Sequence, residues 1–248
     1  MRASELERWQ SRQGEIVNAH ARVGGELREL VIPSAIPDSV VNRWPMDEGD
    51  GTTFSDAVGT ADGEWFGGAW VSDSSYIGDY GYSLDGVDDY GDTGETMPAN
   101  SLTLLATVNF SSDKSKTEYI HGVQDSGNAG GRMLRFHNGG TNRIQFESMN
   151  DNGSIDNAEY DLPSTGRYRV AGILDASVPE IRVAVDGTVR DTTAVSGSFG
   201  TQLSNHKVGR RPDEPEGYYD GEVDEPLIAN EAYSSQQLTD DYNRQPWA

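Results

Sequence analysis

From Trp44 onward, hydrophobic positions recur at every second residue. Ile181, Val183 and Val185 alternate with Arg182 and Ala184, then run into Asp186-Gly187, a pair favoured in two-residue hairpin turns. Leu134 and Phe136 alternate with Met133, Arg135 and His137, and Ile144 and Phe146 alternate with Arg143, Gln145 and Glu147. The residues between these runs, Asn138 to Asn142, are turn formers. Leu102, Leu104, Ala106 and Val108 mark another strand, and Asp-Gly or Asn-Gly pairs punctuate the chain from Asp50 to Gly221. A helical period returns at Ser234–Tyr242. Many short strands joined by tight turns predict an all-β, antiparallel, two-sheet jelly-roll sandwich over residues 44–248.

Residues 1–43 follow a different period. Ser4 and Glu7 form a Ser-x-x-Glu capping box. Leu6, Trp9, Gln13, Ile16, His20, Val23, Leu27 and Leu30 then alternate spacings of three and four, a heptad register. The pattern predicts an N-terminal α-helix that oligomerises through Leu6, Trp9, Ile16, Val23, Leu27 and Leu30, with a trimer favoured. A single amphipathic helix lying on the sandwich is the other reading, and Gly24-Gly25 weakens its later turns. Pro33 and Pro37 cannot continue a helix, so a linker leads into the sandwich.

Charge narrows the function. The chain has 41 Asp+Glu against 19 Lys+Arg, a net charge of −22. Residues 1–43 are neutral, so the sandwich carries the whole excess. Such a surface repels phosphate backbones and anionic bilayers, which argues against nucleic acid and membrane partners. The carboxylates are dispersed and only Lys114, Lys116 and Lys207 are lysines. That balance resembles proteins of salt-loving archaea and their viruses, because molar salt screens self-repulsion within a few ångströms. With no cysteine, disulfides and thiolate metal sites are excluded. The N-terminus has no apolar core of a secretory leader, and no apolar run is long enough to cross a bilayer.

Several segments, in order, carry a family resemblance. Trp44-Pro-Met-Asp-Glu-Gly-Asp-Gly-Thr-Thr with Asp56, then Gly59-Thr-Ala-Asp-Gly, resembles the opening strand and turn of LamG-like jelly-roll domains. Ser83-Leu-Asp-Gly-Val-Asp-Asp-Tyr is similar to the family's central hairpin. Tyr168-Arg-Val-Ala-Gly-Ile-Leu-Asp resembles a core strand, with Tyr in place of the usual Trp. Tyr219-Asp-Gly-Glu-Val-Asp-Glu-Pro-Leu-Ile, followed by Tyr233-Ser-Ser-Gln-Gln-Leu, is similar to the closing strand and helix. The chain is thereby identified as a member of the LamG-like, concanavalin A-like group over about 200 residues. The resemblance implies two stacked curved sheets, often a bound Ca²⁺, and often glycan recognition. Family precedent for calcium points to Asp62, Asp85, Asp88 and Asp224.

Among aromatics outside clear strands, Trp65, Phe66, Trp70, Tyr76, Tyr80 and Tyr218 sit among Gly and Asp and are candidates for stacking on sugars. The competing reading makes each a packing residue beneath a loop. Related glucanases place two or three carboxylates on one strand face. Here Glu222 and Asp224 share a face, but Glu225 points the other way and Pro226 and Leu227 hold the next positions. His121, His137 and His206 have neither metal-ligand spacing nor a nucleophile partner, so no catalytic residue is assigned. The expected function is non-catalytic: a homo-oligomeric component of a halophilic virion surface (a turret, decoration or tail-fibre protein), assembled in the cytoplasm. It would contact other virion proteins and a host-surface glycan. A haloarchaeal cell-surface adhesion module is the alternative, and a glycoside hydrolase is the reading the residues support least.

Overall fold

The computed structural model describes residues 19–23, 26–30, 36–73, 77–98, 100–124, 130–151, 153–195, 197, 199, 203 and 205–245. The chain divides into two units, Met1–Pro37 and Asp38–Ala248.

In the first unit, β1 (Ala19–Val23) pairs antiparallel with β2 (Glu26–Leu30), setting Ala19 against Leu30 and Val23 against Glu26. This corrects the expected N-terminal helix over its last two heptads. The residues between the strands in sequence are Gly24 and Gly25, a pair that two-residue hairpin loops favour. Val23, Leu27 and Leu30 therefore lie on strands, where a spacing of three and four defines no common stripe. Leu6, Trp9 and Ile16 lie outside the described residues.

The second unit begins earlier than the expected Trp44. Its first strand, β3 (Val40–Arg43), pairs with the last, so the boundary falls after Pro37. The strands that follow are β4 (Thr53–Phe54), β5 (Gly63–Phe66), β6 (Ala69–Ser72), β7 (Tyr80–Asp85), β8 (Tyr90–Asp92) and β9 (Leu102–Phe110). Next come β10 (Glu118–Gln124), β11 (Gly131–His137), β12 (Arg143–Met149), β13 (Ile155–Asp161) and β14 (Gly166–Asp175). Then β15 (Glu180–Val185), β16 (Thr188–Ala194), β17 (Lys207–Val208) and β18 (Asp220–Ala229) lead to helix α1 (Ser235–Tyr242). One sheet has the order β13-β12-β11-β10-β17-β8-β5-β4; the other runs β16-β15-β14-β9-β18-β7-β6, with β3 also on β18. All these pairings are antiparallel, as expected for a jelly roll.

The core lies between the sheets and follows the period-two pattern. Ile181, Val183, Ile144 and Phe146 are wholly buried and belong to one cluster with Trp44, Phe54, Trp65 and Tyr219. Gly172 lets the sheets approach: a Cβ there would sit 2.1 Å from the Phe146 ring. Asp186 (φ +49°) and Gly187 (φ +71°) close the β15–β16 hairpin, and both positive angles match the primed turn such pairs adopt. Ser234 caps α1 in a reciprocal box with Gln237.

Two histidines lie deep in this core. His121 Nδ1 is 3.2 Å from His206 Nε2, Thr93 Oγ1 is 3.0 Å from His206 Nδ1, and Trp44 stacks on His206 at 5.1 Å. Burial pushes His121 down to about 3 and His206 well below its ordinary value, so both are neutral packing groups.

Candidate functional site

The outer face of the first sheet is open around β4, β5 and β8. Register sets Thr53 opposite Glu64, Glu64 opposite Asp92, and Phe66 opposite Tyr90. Alternation along β5 sends Trp65 into the core and puts Glu64 and Phe66 on the outer side. Gly91 makes room below, since a Cβ there would meet the Trp65 ring at 2.9 Å. Phe66 is 42% exposed and stacks on Tyr90 at 4.8 Å with 9° between planes. The Arg210 guanidinium lies 4.1 Å from the centre of the Tyr90 ring. A groove of about 510 Å³ runs past this stack, lined by Thr53, Asp62, Gly63, Glu64, Phe66, Asp92, Thr93 and Gly94.

Its polar groups are mostly acceptors. Asp62 accepts from the Asp56 N–H at 2.8 Å, and Asp92 accepts from Lys207 Nζ at 2.5 Å and from the Gly94 N–H at 3.0 Å. Glu64 is exposed and has no partner among the described residues. An exposed flat ring beside carboxylates and threonine hydroxyls is chemistry suited to a sugar: C–H faces pack on the ring while hydroxyls donate to the carboxylates.

The opening turn beside the groove is organised by Asp56. Its carboxylate accepts from the N–H groups of Arg43, Val58, Gly59 and Ala61 and from the Asn42 amide. Burial raises its pKa, but these donors outweigh burial and hold it below the usual carboxylate range.

The outer face of the second sheet is covered at its central strands. Thr107, Arg169 and Asp224 are aligned across β9, β14 and β18. Arg169 donates to Asp241 of α1 at 2.7 and 3.3 Å and to the Glu225 carbonyl at 2.9 Å. Arg43 clasps the Glu225 carboxylate, and Arg244 pairs with Asp241. Glu225 adopts φ +48° at a bulge, which turns its side chain into this cluster rather than to solvent. Asp224 is fully buried and neither carboxylate oxygen makes a well-formed hydrogen bond; the Ile77 N–H is the backbone donor directed at it. Burial first, then the charge of Glu225, push the Asp224 carboxyl well above its ordinary value. Burial also raises Asp47 to about 6, with Glu225, Glu48 and Asp79 adding to the rise and Arg43 opposing it.

The four expected metal ligands do not converge. Asp85 and Asp88 meet Asp89, with one oxygen from each within 4.8 Å of the others. The oxygens of that turn already serve its own backbone, Asp89 accepting from the Asp85 N–H and Asp85 from the Val87 N–H. Asp62 belongs to the groove and Asp224 to the buried cluster. Asp224, whose oxygens lack well-formed hydrogen bonds, and Asp47 in electrostatic reach of it could supply two of the six to eight oxygens that Ca²⁺ takes; the converging group of three carboxylates among the described residues is Asp85, Asp88 and Asp89.

Of the expected sugar-stacking aromatics, Phe66 is the one in the groove. Trp65 is a correction: it is 2% exposed and stacks on Tyr82 at 3.9 Å in the core. Trp70 is half-buried and donates to the Gly51 carbonyl, Tyr80 packs on Gly49, and Tyr218 is half-buried in the loop before β18. Tyr76 lies outside the described residues. Tyr90 and Arg210 were not anticipated. Tyr90 follows the Asp88-Asp89 turn in a strand of three residues, too short to display an alternation.

The solved structures agree with this architecture. Domain 4 of AbnA, a GH43 extracellular arabinanase from Geobacillus stearothermophilus in complex with arabinotriose, matches with a TM-score of 0.62 at 16% identity, covering 81% of this chain and 97% of that one. The botulinum neurotoxin serotype D ligand binding domain in complex with N-acetylneuraminic acid matches with a TM-score of 0.63 at 13% identity, covering 83% and 51%. A Trypanosoma rangeli sialidase matches with a TM-score of 0.58 at 15% identity, covering 86% and 35%. The chain spans about half the length of the neurotoxin chains, and at these identities what is shared is the fold. No curated protein matches in sequence. The family model described as the concanavalin A-like lectin/glucanases superfamily matches residues 85–239, more than half of the chain, and the protein belongs to that family.

Proposed function

We propose that this chain is a non-catalytic glycan-recognition module that binds sugar in the groove beside Phe66. The carrying observation is the exposed Phe66 ring, stacked on Tyr90 and set among acceptors on an uncovered sheet face. The similar arabinanase domain and neurotoxin domain, solved with a saccharide and a sialic acid, are consistent with this use of the fold. Hydrolysis is disfavoured because Asp224 and Glu225, the acidic pair of the closing strand, are sealed from solvent. Asp224 and Asp47 would contribute carboxylate oxygens to a structural Ca²⁺, with carbonyls and water completing its shell, and the ion would offset their charge.

The module suits display in concentrated salt, on a halophilic virion as a turret, decoration or tail-fibre component, or on a cell as an adhesion domain. The support is 41 acidic residues beside three lysines. Residues 1–37, a separate unit, would supply anchoring or self-association. Glycan-array binding by wild type and Phe66→Ala in molar KCl tests the reading. Saccharide binding that disappears in the variant supports it; polysaccharide cleavage, or binding untouched by the substitution, defeats it.

A further inference from the structure

Resting on that reading, we infer that the groove takes uncharged sugars and excludes those bearing a carboxylate. Glu64 and Asp92 face each other directly across β5 and β8, and Asp62 lines the same groove. Like charges at opposed strand positions repel, and Asp62 and Glu64 have no ion pair among the described residues, so the groove keeps a negative potential. Lys207 compensates Asp92 alone, which leaves Asp62 and Glu64 as the groove carboxylates without a cationic partner among the described residues. Lys207 is 3% exposed and already donates to Asp92 and Asn205. Arg210 is engaged on the Tyr90 ring and does not line the groove.

A sugar stacked on Phe66 lies within a Debye length, about 10 Å at moderate salt, of all three groove carboxylates. Hydroxyls can donate to those oxygens, whereas a sugar carboxylate would meet acceptors and like charge, with no cationic side chain among the groove-lining residues to receive it. A sialic acid, present in one similar structure, would be repelled here. An amino sugar would be tolerated or favoured.

The test uses the full chain and matched probes: lactose with sialyllactose, and galactan with oligogalacturonate, measured by calorimetry or saturation-transfer NMR. Titrations run at low and at molar salt, with a thermal melt to confirm folding under each condition. The expected result is binding of a neutral member at least tenfold tighter than its carboxylated partner at the lower salt. That gap should narrow as salt rises and in Glu64→Gln, and all binding should be lost in Phe66→Ala. A carboxylated member binding as well as its neutral partner, and lost in Phe66→Ala, overturns this inference while leaving the glycan reading intact. No binding by any saccharide overturns both.

Discussion

The outward positions at β4, β5 and β8 of the first sheet and at β9, β14 and β18 of the second begin from the same rule and end as opposites. On the second sheet, the outward positions Thr107, Arg169 and Asp224 are buried because α1 and the segment after β3 lie over them. On the first sheet, Glu64 and Phe66 occupy equivalent outward positions and meet solvent. Strand alternation decides which side chains leave the core. What then covers them decides whether a carboxylate becomes part of a sealed ion-pair network or of a binding surface. The covered region around Arg169 should therefore contribute more to stability and the open region around Phe66 more to recognition.

Arg169→Ala is the strongest way to break this division. It strips Asp241 and Glu225 of their shared guanidinium, and removing one partner from a buried pair costs about 3–5 kcal/mol. Phe66→Ala, at an exposed edge position, should cost about 1 kcal/mol or less while abolishing sugar binding. Urea unfolding of both variants checks the contrast, and comparable losses would erase the distinction between the faces.

Screening should act on the open surface and spare the sealed pairs. With a net charge of −22, the melting midpoint should rise from low to molar KCl, each kcal/mol recovered adding about 2–4 °C. A flat or falling curve would show that exposed carboxylates do not limit stability.

Asp224→Asn sharpens the covered face. The folded-state pKa of Asp224 is raised, so wild type has its full stability below the unfolded value near 4 and loses it as pH rises through the folded value. Asparagine imitates the protonated form. In EDTA the variant should match wild type near pH 4 and gain on it as pH rises, by at most about 1.4 kcal/mol per pH unit. The buried histidines act oppositely: their stability is present above about 6.5 and is lost as pH falls toward the depressed values, in both proteins alike. Taking the difference between variant and wild type removes them. Added Ca²⁺ should raise the wild-type midpoint and leave Asp224→Asn nearly unchanged; equal shifts would remove Asp224 from any cation site.

Much of the sandwich was legible in the sequence because its strands are long enough for alternation to set their phase, as in β12 and β15. Trp65 shows what phase alone can recover. Glu64 marks the outward side of β5, so Phe66 shares that side and Trp65 must point inward, although both aromatics looked alike among the surrounding Gly and Asp. The N-terminal hairpin was not legible from apolar spacing, since a few Leu and Val at intervals of three and four fit a heptad before any partner is known; Gly24-Gly25 was the better signal. Asp224 was missed as a buried group for a different reason. A carboxylate at an outward strand position reads as solvated, and nothing in the local pattern announces that the distant residues Asp47 and Ile77 lie against it.

The smallest expected effect lies at Glu64. It faces Asp92 on the adjacent strand and has no partner among the described residues, so the part of Asp92's charge that Lys207 does not offset works against folding. Like-charged cross-strand pairs cost a few tenths of a kcal/mol up to about 1 kcal/mol, and the exposure of Glu64 places it at the low end. Glu64→Gln should therefore stabilise the fold slightly at low salt, and the gain should vanish in molar KCl, where the repulsion is screened. Chemical unfolding at both salt levels measures it. A loss of stability would mean that Glu64 is held by an attraction outweighing Asp92, and the groove would then be less negative than its carboxylates imply. A small gain at low salt, coupled with a changed preference between neutral and carboxylated sugars, would tie the cost of that charge to what the open face selects.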